Sequence, residues 1–217
     1  MMSRAQARWL GLQPYSPVWE RMRRYTDERD ADSPDQFWCL EHEPVYTLGR
    51  AADPAHILIS NGIPVVRSDR GGQVTYHGPG QLVIYPLLDL QRLGIGTRSL
   101  VERIEGAISD YCAGFGIDAR GRRDAPGVYV GDRKIASLGL RVVRQRTLHG
   151  LSFNVNMDLV PFSAINPCGY QGLQMTQLAQ EGGPDSVHEV CQPLLNALCE
   201  RLGIPVVQMQ DDADRDG

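Results

Sequence analysis

The chain is predicted to adopt an α+β fold, and three observations carry the prediction. Three segments of the 217 residues repeat apolar side chains at helical spacing. The segments between them read as short strands, and helices and strands do not alternate one by one as a doubly wound fold requires. The spacers between consecutive strands are short, which favours antiparallel pairing. Residues 1–207 are expected to form one domain, followed by a polar, acidic tail at 208–217 without fixed structure. No internal repeat is present.

The first helix is predicted over 16–29, "SPVWERMRRYTDER". Ser16 is the candidate N-cap, Pro17 fits the first helical position, and Val18, Met22 and Tyr25 form the stripe. Strands are expected in "DQFWCLEHEPVYTLG" and "IPVVRSD". "GGQVTYHGPGQLVIYPLLDL" has the pattern of a hairpin turning at His77, Gly78, Pro79 and Gly80. The second helix, "GTRSLVERIEGAISDYCAGFG", carries Leu100, Val101, Ile104, Ala107, Ile108, Tyr111, Cys112 and Phe115, with Gly114 or Gly116 as its stop. A second hairpin, "PGVYVGDRKIASLGLRVV", turns at Gly131, Asp132 and Arg133, and "TLHGLSFNVNMDL" supplies its next neighbour. The third helix, "DSVHEVCQPLLNALCERLG", opens on Ser186 and Glu189 at capping-box spacing and contains Pro193. "IPVVQM" follows as a short strand.

Composition narrows the function classes. The net charge of -4 argues against a general nucleic-acid binder. Local basic clusters at 21–24, 120–123 and Arg141, Arg144 and Arg146 fit either a solvated surface or a docking patch for an acidic partner. No apolar run approaches the ~20 residues of a membrane span, and the N-terminus lacks the apolar core of a signal peptide. A cytoplasmic enzyme or binding protein, with no membrane association, is the expectation. The five cysteines are expected to be free thiols. Cys39 and His42 form a lone C-x-x-H with no second pair, so no metal site is expected.

One cysteine differs from the rest. Cys112 and Cys191 sit on helical stripes, Cys199 borders one, and Cys39 lies in a strand, all as small core hydrophobes. Cys168 lies in "SAINPCGYQGLQ", a loop composition that leaves a thiol approachable and held, as a nucleophile must be. Help in forming the thiolate could come from His77, His149 or Lys134. Lys134 is the single lysine among 22 basic residues. A regular strand would place it on one face with Ala136, Leu138, Leu140 and Val142. A charged amine is costly there, which favours a lysine that takes a proton from a thiol, or else one that stabilises the thiolate. A strand-end lysine reaching for water is the plain alternative. The glycine-rich "RGGQVTYHGPGQL" permits close approach to a ligand but is neither a P-loop nor a strand-to-helix dinucleotide turn.

Five segments together resemble the lipoyl(octanoyl) transferase family: "HEPVYTLGR", "RGGQVTYHGPGQLVIYPLLDL", "GVYVGDRKIASLGLRV", "HGLSFNVNMDL" and "INPCGYQGLQMTQL". They fall in the family's order, and the resemblance spans roughly residues 10 to 205. It implies a fold shared with lipoate and biotin protein ligases, a larger mixed sheet and a smaller sheet flanked by helices. It implies transfer of an octanoyl group from octanoyl acyl carrier protein to a lysine of a lipoyl domain. The implied acceptors are the lipoyl domains of 2-oxoacid dehydrogenases and the glycine cleavage H protein. Cys168 matches the family's acyl-thioester nucleophile and Lys134 the lysine that activates it. The segments Arg70, Gly71, Gly72, Gln73, Val74, Thr75, Tyr76 and His77, then Ser137, Leu138 and Gly139, then His149, Gly150, Leu151 and Ser152 match its substrate pocket. Ser152 stands where many relatives carry alanine. Thioester exchange is near thermoneutral and aminolysis of a thioester runs downhill, so no cofactor and no ATP are implied. Three other functions stay open on the residues alone: an ATP-dependent lipoate or biotin ligase, a cysteine hydrolase built on Cys168 and His149, and a non-catalytic binder of lipoyl domains.

Overall fold

The computed structural model describes residues 5–123 and 125–211. In chain order the strands and helices are β1 (Ala5–Gln13), α1 (Tyr15–Glu28), β2 (Asp35–His42), β3 (Val45–Leu48), β4 (Val65–Arg67), β5 (Val74–His77), β6 (Gln81–Leu87), α2 (Leu90–Leu93), α3 (Thr97–Ala113), β7 (Ala119–Gly121), β8 (Val128–Val130), β9 (Arg133–Leu138), β10 (Arg141–Val143), β11 (Arg146–Leu148), β12 (Leu151–Asn154), α4 (Val187–Leu202) and β13 (Met209–Asp211). A large sheet has the order β13-β1-β2-β6-β12-β9-β8-β7, a small one β4-β3-β5, and β10 and β11 form a separate pair. The large sheet is mixed: β1 runs parallel to β2 and β13, and its remaining pairs are antiparallel.

Apolar side chains on both faces dictate the layering. In β2, Phe37 and Cys39 point to one side and Trp38 and Leu40 to the other. In β6, Leu82 and Ile84 oppose Val83 and Tyr85 in the same way. One face packs α3 and α4 through Ile104, Ile108, Leu194 and Leu198, and the other packs α1 through Val18 and Met22. A sheet covered on both faces explains why these strands read as unbroken apolar runs. The small sheet encloses its own core of Tyr46, Val74, Tyr76, Phe162 and Ile165.

The helix signals translate directly for α3 and α4. Gly114 is the C-cap of α3. Ser186 caps α4, its side chain accepting from the Glu189 N–H, Gly203 closes it in the left-handed region, and the helix runs through Pro193. In α1 the boundary lies earlier than expected. Pro14 is the N-cap, in extended geometry, and Ser16 falls inside the helix. Tyr15 anchors that first turn by a 2.7 Å hydrogen bond to the Ser68 hydroxyl.

Several strand expectations are corrected, and β1 is a strand not expected from the sequence. The 71–90 stretch is not a hairpin: β5 pairs with β3 in the small sheet, whereas β6 pairs with β2 and β12 in the large one. The turn between them carries the chain from sheet to sheet and is fixed at Gly80. Its carbonyl accepts from the Val155 and Asn156 N–H groups, and its own N–H donates to Glu41. Likewise 35–49 breaks after His42 into β2 and β3, which belong to different sheets. Finally, β1 escaped the alternation pattern because a register shift between Trp9 and Leu12, with Gly11 at φ +67°, interrupts it. Its partner β13 starts at Met209 rather than at Ile204. That strand lies inside the segment expected to be an unstructured tail, held by parallel pairing to β1 and by Gln192, which accepts the Met209 N–H. Residues 212–217 of that tail lie outside the described residues. Among the described residues no helix is long and apolar enough to cross a membrane.

Gly80 offers a test of the sheet-to-sheet crossing. It sits at φ +85°, and a Cβ there would lie 2.0 Å from the Asn156 carbonyl oxygen. Gly62, at φ +81°, has nothing within 4 Å. Gly62→Ala should therefore cost about 1 kcal/mol from backbone strain alone, and Gly80→Ala at least about 2–4 kcal/mol. Urea denaturation measures both; equal losses would show that the crossing does not depend on this close approach.

Candidate active site

Lys134 lies near the start of β9, opposite Tyr129 of β8. Its backbone holds a distant segment: the Lys134 N–H donates to Gln174 O at 2.9 Å, and Lys134 O accepts the Thr176 N–H at 2.9 Å. The segment held in this way continues from the loop that carries Cys168. The lysine side chain is 1% exposed. Its Nζ donates to Pro126 O at 2.8 Å and to Cys168 Sγ at 3.2 Å, and lies 5.2 Å from the centre of the Tyr129 ring. The amine is thus met by a carbonyl oxygen, a sulfur and an aromatic ring. The regular strand ends at Leu138, so Leu140 and Val142 leave the face shared by Lys134, Ala136 and Leu138.

Cys168 sits in the tight turn Pro167–Gly169 with φ 57° and ψ 16°, the left-handed region. A side chain there costs on the order of 1–3 kcal/mol, which the surroundings must hold. Asn166 O accepts the Gly169 N–H, Pro167 O accepts the Tyr170 N–H, and the Asn166 N–H donates to His56 O. The other four cysteines are fully buried, and Cys168 is the partly exposed one, as its loop composition suggested.

Both residues open onto a cavity of about 360 Å³. This is within the usual size range of small-molecule pockets. Of the candidate residues, Arg70, Gly71, Gly72, Gln73, Val74, Thr75, His77, Ser137, Leu138, Gly139, His149, Gly150, Leu151 and Ser152 line it. Tyr76 does not. Strand alternation turns its ring into the small-sheet core, 5.5 Å from the Tyr46 and Phe162 rings. Tyr15, Val83, Tyr85, Thr97, Val101, Pro126 and Tyr170 also line the cavity and were not anticipated. Helical stripes announced only that Val101 was apolar, and which cavity it would face depends on tertiary packing.

The glycine loop is shaped by Arg70. Its buried guanidinium donates to Thr47 Oγ1, Thr47 O, Gly71 O and Gln73 O over 2.5–2.9 Å. Close approach explains the glycines: a Cβ at Gly71 would lie 2.8 Å from Leu140 O. Behind this loop lies a layer of buried histidines. His42 bonds Tyr85 and the Gln13 carbonyl, and His77 bonds Gln81. His149, at φ 60°, bonds Asp69 through Nε2 at 2.7 Å. Burial would raise the Asp69 carboxyl, but His149, Trp19 and Arg141 draw it down to about 2. Burial lowers His149 despite that carboxylate. The His149 ring is thus committed to Asp69 and Cys168 to Lys134, so the cysteine–histidine pairing of a hydrolase is not formed here. Among the described residues no group of three or more His, Cys, Asp or Glu could hold a metal ion.

Residues 14–199 match the family model described as the lipoyl protein ligase A/B catalytic domain. A protein named Octanoyltransferase from Xanthomonas campestris pv. campestris (strain B100) is 56% identical over 200 residues, 92% of this chain and 86% of the relative. One of the same name from Hahella chejuensis is 60% identical over 173 residues, 80% of this chain and 77% of the relative. Among solved structures, a bipartite lipoate protein ligase from Thermoplasma acidophilum has a TM-score of 0.71 at 16% identity, covering 96% of this chain and 87% of that one. The biotin protein ligase from Aquifex aeolicus has a TM-score of 0.57 at 15% identity, covering 94% and 70%.

The histidine layer predicts acid sensitivity. Burial lowers His42 from 6.5 to about 4 and, with His42 and Arg70 nearby, His77 to about 3. Folding therefore keeps both neutral while the unfolded chain takes up protons below pH 6.5. Stability is fully present above that pH and is lost as pH falls towards 4, with a slope of about 1.4 kcal/mol per pH unit for each histidine. Urea midpoints between pH 4 and 7 should fall accordingly, and His77→Gln should flatten the slope by one histidine's share. An unchanged slope would mean that His77 is not held neutral.

Proposed function

The chain belongs to the lipoyl protein ligase A/B catalytic domain family and within it to the octanoyltransferases, which are acyltransferases; we propose that it moves an octanoyl group from octanoyl acyl carrier protein to one lysine of a lipoyl domain through a thioester on Cys168. The observation that carries this reading is the 3.2 Å contact between the Lys134 amine and the Cys168 sulfur at the wall of a cavity. The cavity walls include Val74, Val83, Val101, Leu138, Leu140 and Leu151, a surface suited to an alkyl chain.

The chemistry follows from these groups. Lys134 accepts the thiol proton, or as an ammonium stabilises the thiolate, and Cys168 Sγ attacks the thioester carbonyl of the donor. A tetrahedral oxyanion forms, for which the backbone N–H groups of Gly72 and Gln73 in the cavity lining are the candidate donors. The carrier's sulfur leaves and takes the proton from Lys134, which returns to the neutral amine, and the octanoyl group remains on Cys168. The amine of the acceptor lysine then attacks the Cys168 thioester. Its proton passes to Lys134, the Cys168 thiolate departs, and an amide is formed. The acceptors suited to this step are the lipoyl domains of 2-oxoacid dehydrogenases and the glycine cleavage H protein. No energy source beyond the donor thioester enters.

Intact-protein mass spectrometry after mixing with octanoyl acyl carrier protein, without ATP, tests the intermediate. The wild-type chain should gain one octanoyl group that hydroxylamine removes, and Cys168→Ala should gain none. No adduct, together with lipoyl-domain modification by octanoate plus ATP, would replace this reading with an ATP-dependent ligase. Lys134→Arg should slow transfer by at least about 10²-fold. Arginine does not release its proton near neutral pH, and the space beside Pro126 and Gly127 fits an amine and not a planar fork. Near wild-type transfer by that variant would exclude proton acceptance by Lys134.

A further inference from the structure

A line of hydrogen bonds leads from Lys134 away from the cavity and ends on a carboxyl group. Lys134 Nζ donates to Pro126 O at 2.8 Å. The other end of that same peptide unit, the Gly127 N–H, donates to Glu105 Oε1 at 2.8 Å. Peptide resonance couples the two ends, so negative charge at the N–H strengthens the C=O as an acceptor. Glu105 thus faces the lysine through one peptide bond.

The fold builds this arrangement deliberately into two elements. Thr97, Val101 and Glu105 follow one another at four-residue spacing along α3. The first two line the cavity, and Glu105, one turn further, reaches the back of its wall. Two glycines make the room. A Cβ at Gly121 would lie 2.7 Å from Glu105 Oε2. Gly127 has φ +135°, and a Cβ there would lie 2.3 Å from Lys134 Cε. Burial raises the Glu105 carboxyl from its usual range, with the Gly127 N–H and Lys134 pulling against that rise.

We propose that Glu105 is a positioning residue for acyl transfer, its carboxylate acting through the Pro126–Gly127 peptide to hold the Lys134 amine against the Cys168 thiol. This inference rests on the roles proposed above for Cys168 and Lys134. Other groups near the pair are Tyr129 of β8, Arg122, whose guanidinium lies over the Tyr129 ring, and Arg70, which lines the same cavity. Tyr129 donates its hydroxyl to Ala125 O, and Arg70 donates to Thr47, Gly71 and Gln73. The competing account is that Glu105 only ties down the loop. Glu105→Gln separates the two, because glutamine keeps an acceptor oxygen for the Gly127 N–H and removes the charge.

The measurements are iodoacetamide alkylation of Cys168, followed by peptide mass, together with kcat and KM for octanoyl acyl carrier protein and the melting temperature. The four buried cysteines leave Cys168 as the reporting thiol. Glu105→Gln should slow alkylation and lower kcat about 5- to 20-fold, with KM and melting temperature held. Glu105→Asp, which keeps the charge, should recover part of the loss. In a Lys134→Ala background Glu105→Gln should change nothing further. Wild-type alkylation and kcat in Glu105→Gln would overturn the proposal, as would equal losses in the Gln and Asp variants or an equal effect without Lys134. Should Lys134→Ala itself leave alkylation unchanged, the proposed role of Lys134 would fail first, and separately.

Discussion

The contact on which the site depends is that between a buried amine and a partly exposed thiol. Burying an amine to 1% exposure is costly unless its donors are satisfied. The surrounding structure answers that cost point by point. Pro126 offers a carbonyl, Tyr129 a ring face, Cys168 a sulfur, and Gly127 the absence of a side chain where the lysine stem passes. The backbone of the same residue holds Gln174 and Thr176, so the lysine ties down the segment that follows Cys168 with its main chain and meets the Cys168 sulfur with its side chain. Loss of that anchoring would free the loop and the thiol together.

The cavity shows a second constraint: the polar groups in its lining, Arg70, His77 and His149 among them, are tied to partners within the protein. Arg70 spends its donors on carbonyls and a threonine hydroxyl within the protein, not on a carboxylate. A charge satisfied in that way holds the glycine loop in one shape while its own head group stays engaged. Burial keeps His42 and His77 neutral near pH 7 and lowers His149 as well, and each of the three has a hydrogen-bond partner. These polar groups are engaged within the protein, and Lys134 and Cys168 meet each other in the same cavity lining.

Much of this was legible in the sequence, and the reasons for success and failure are physical. Cys168 stood out because its neighbours are Pro167 and Gly169, and Lys134 because no other lysine occurs. Local signals, such as Ser186 before a helical stripe or Gly131 and Asp132 between strands, carried through to α4 and to the β8–β9 hairpin. Signals failed where a partner distant in sequence decided the outcome. The turn at 77–80 looked like a hairpin turn, but Asn156 and Glu41 take up its groups and send the next strand into another sheet. A bulge hid β1, and the acidic composition after 207 hid a strand held by β1 and Gln192. Tyr76 shared a motif with pocket residues, yet the two-residue period of a strand turned it away from them.

The same distinction bears on what a fold can say about a reaction. Solved lipoate and biotin ligases share this architecture at 12–18% identity, a level at which only the scaffold is held in common. A buried lysine beside a cavity is compatible with holding an activated acyl group or with activating a nucleophile. The deciding feature is what lies at the amine's free side. Here it is a thiol in a strained left-handed turn, 3.2 Å away and braced by Pro167 and Asn166. A residue kept in such a conformation by a surrounding network is over-determined by its structure, and strain of that kind persists where position matters more than stability. Chemistry at this cavity is therefore argued from the turn that carries Cys168, and the fold supplies the wall against which that turn is set.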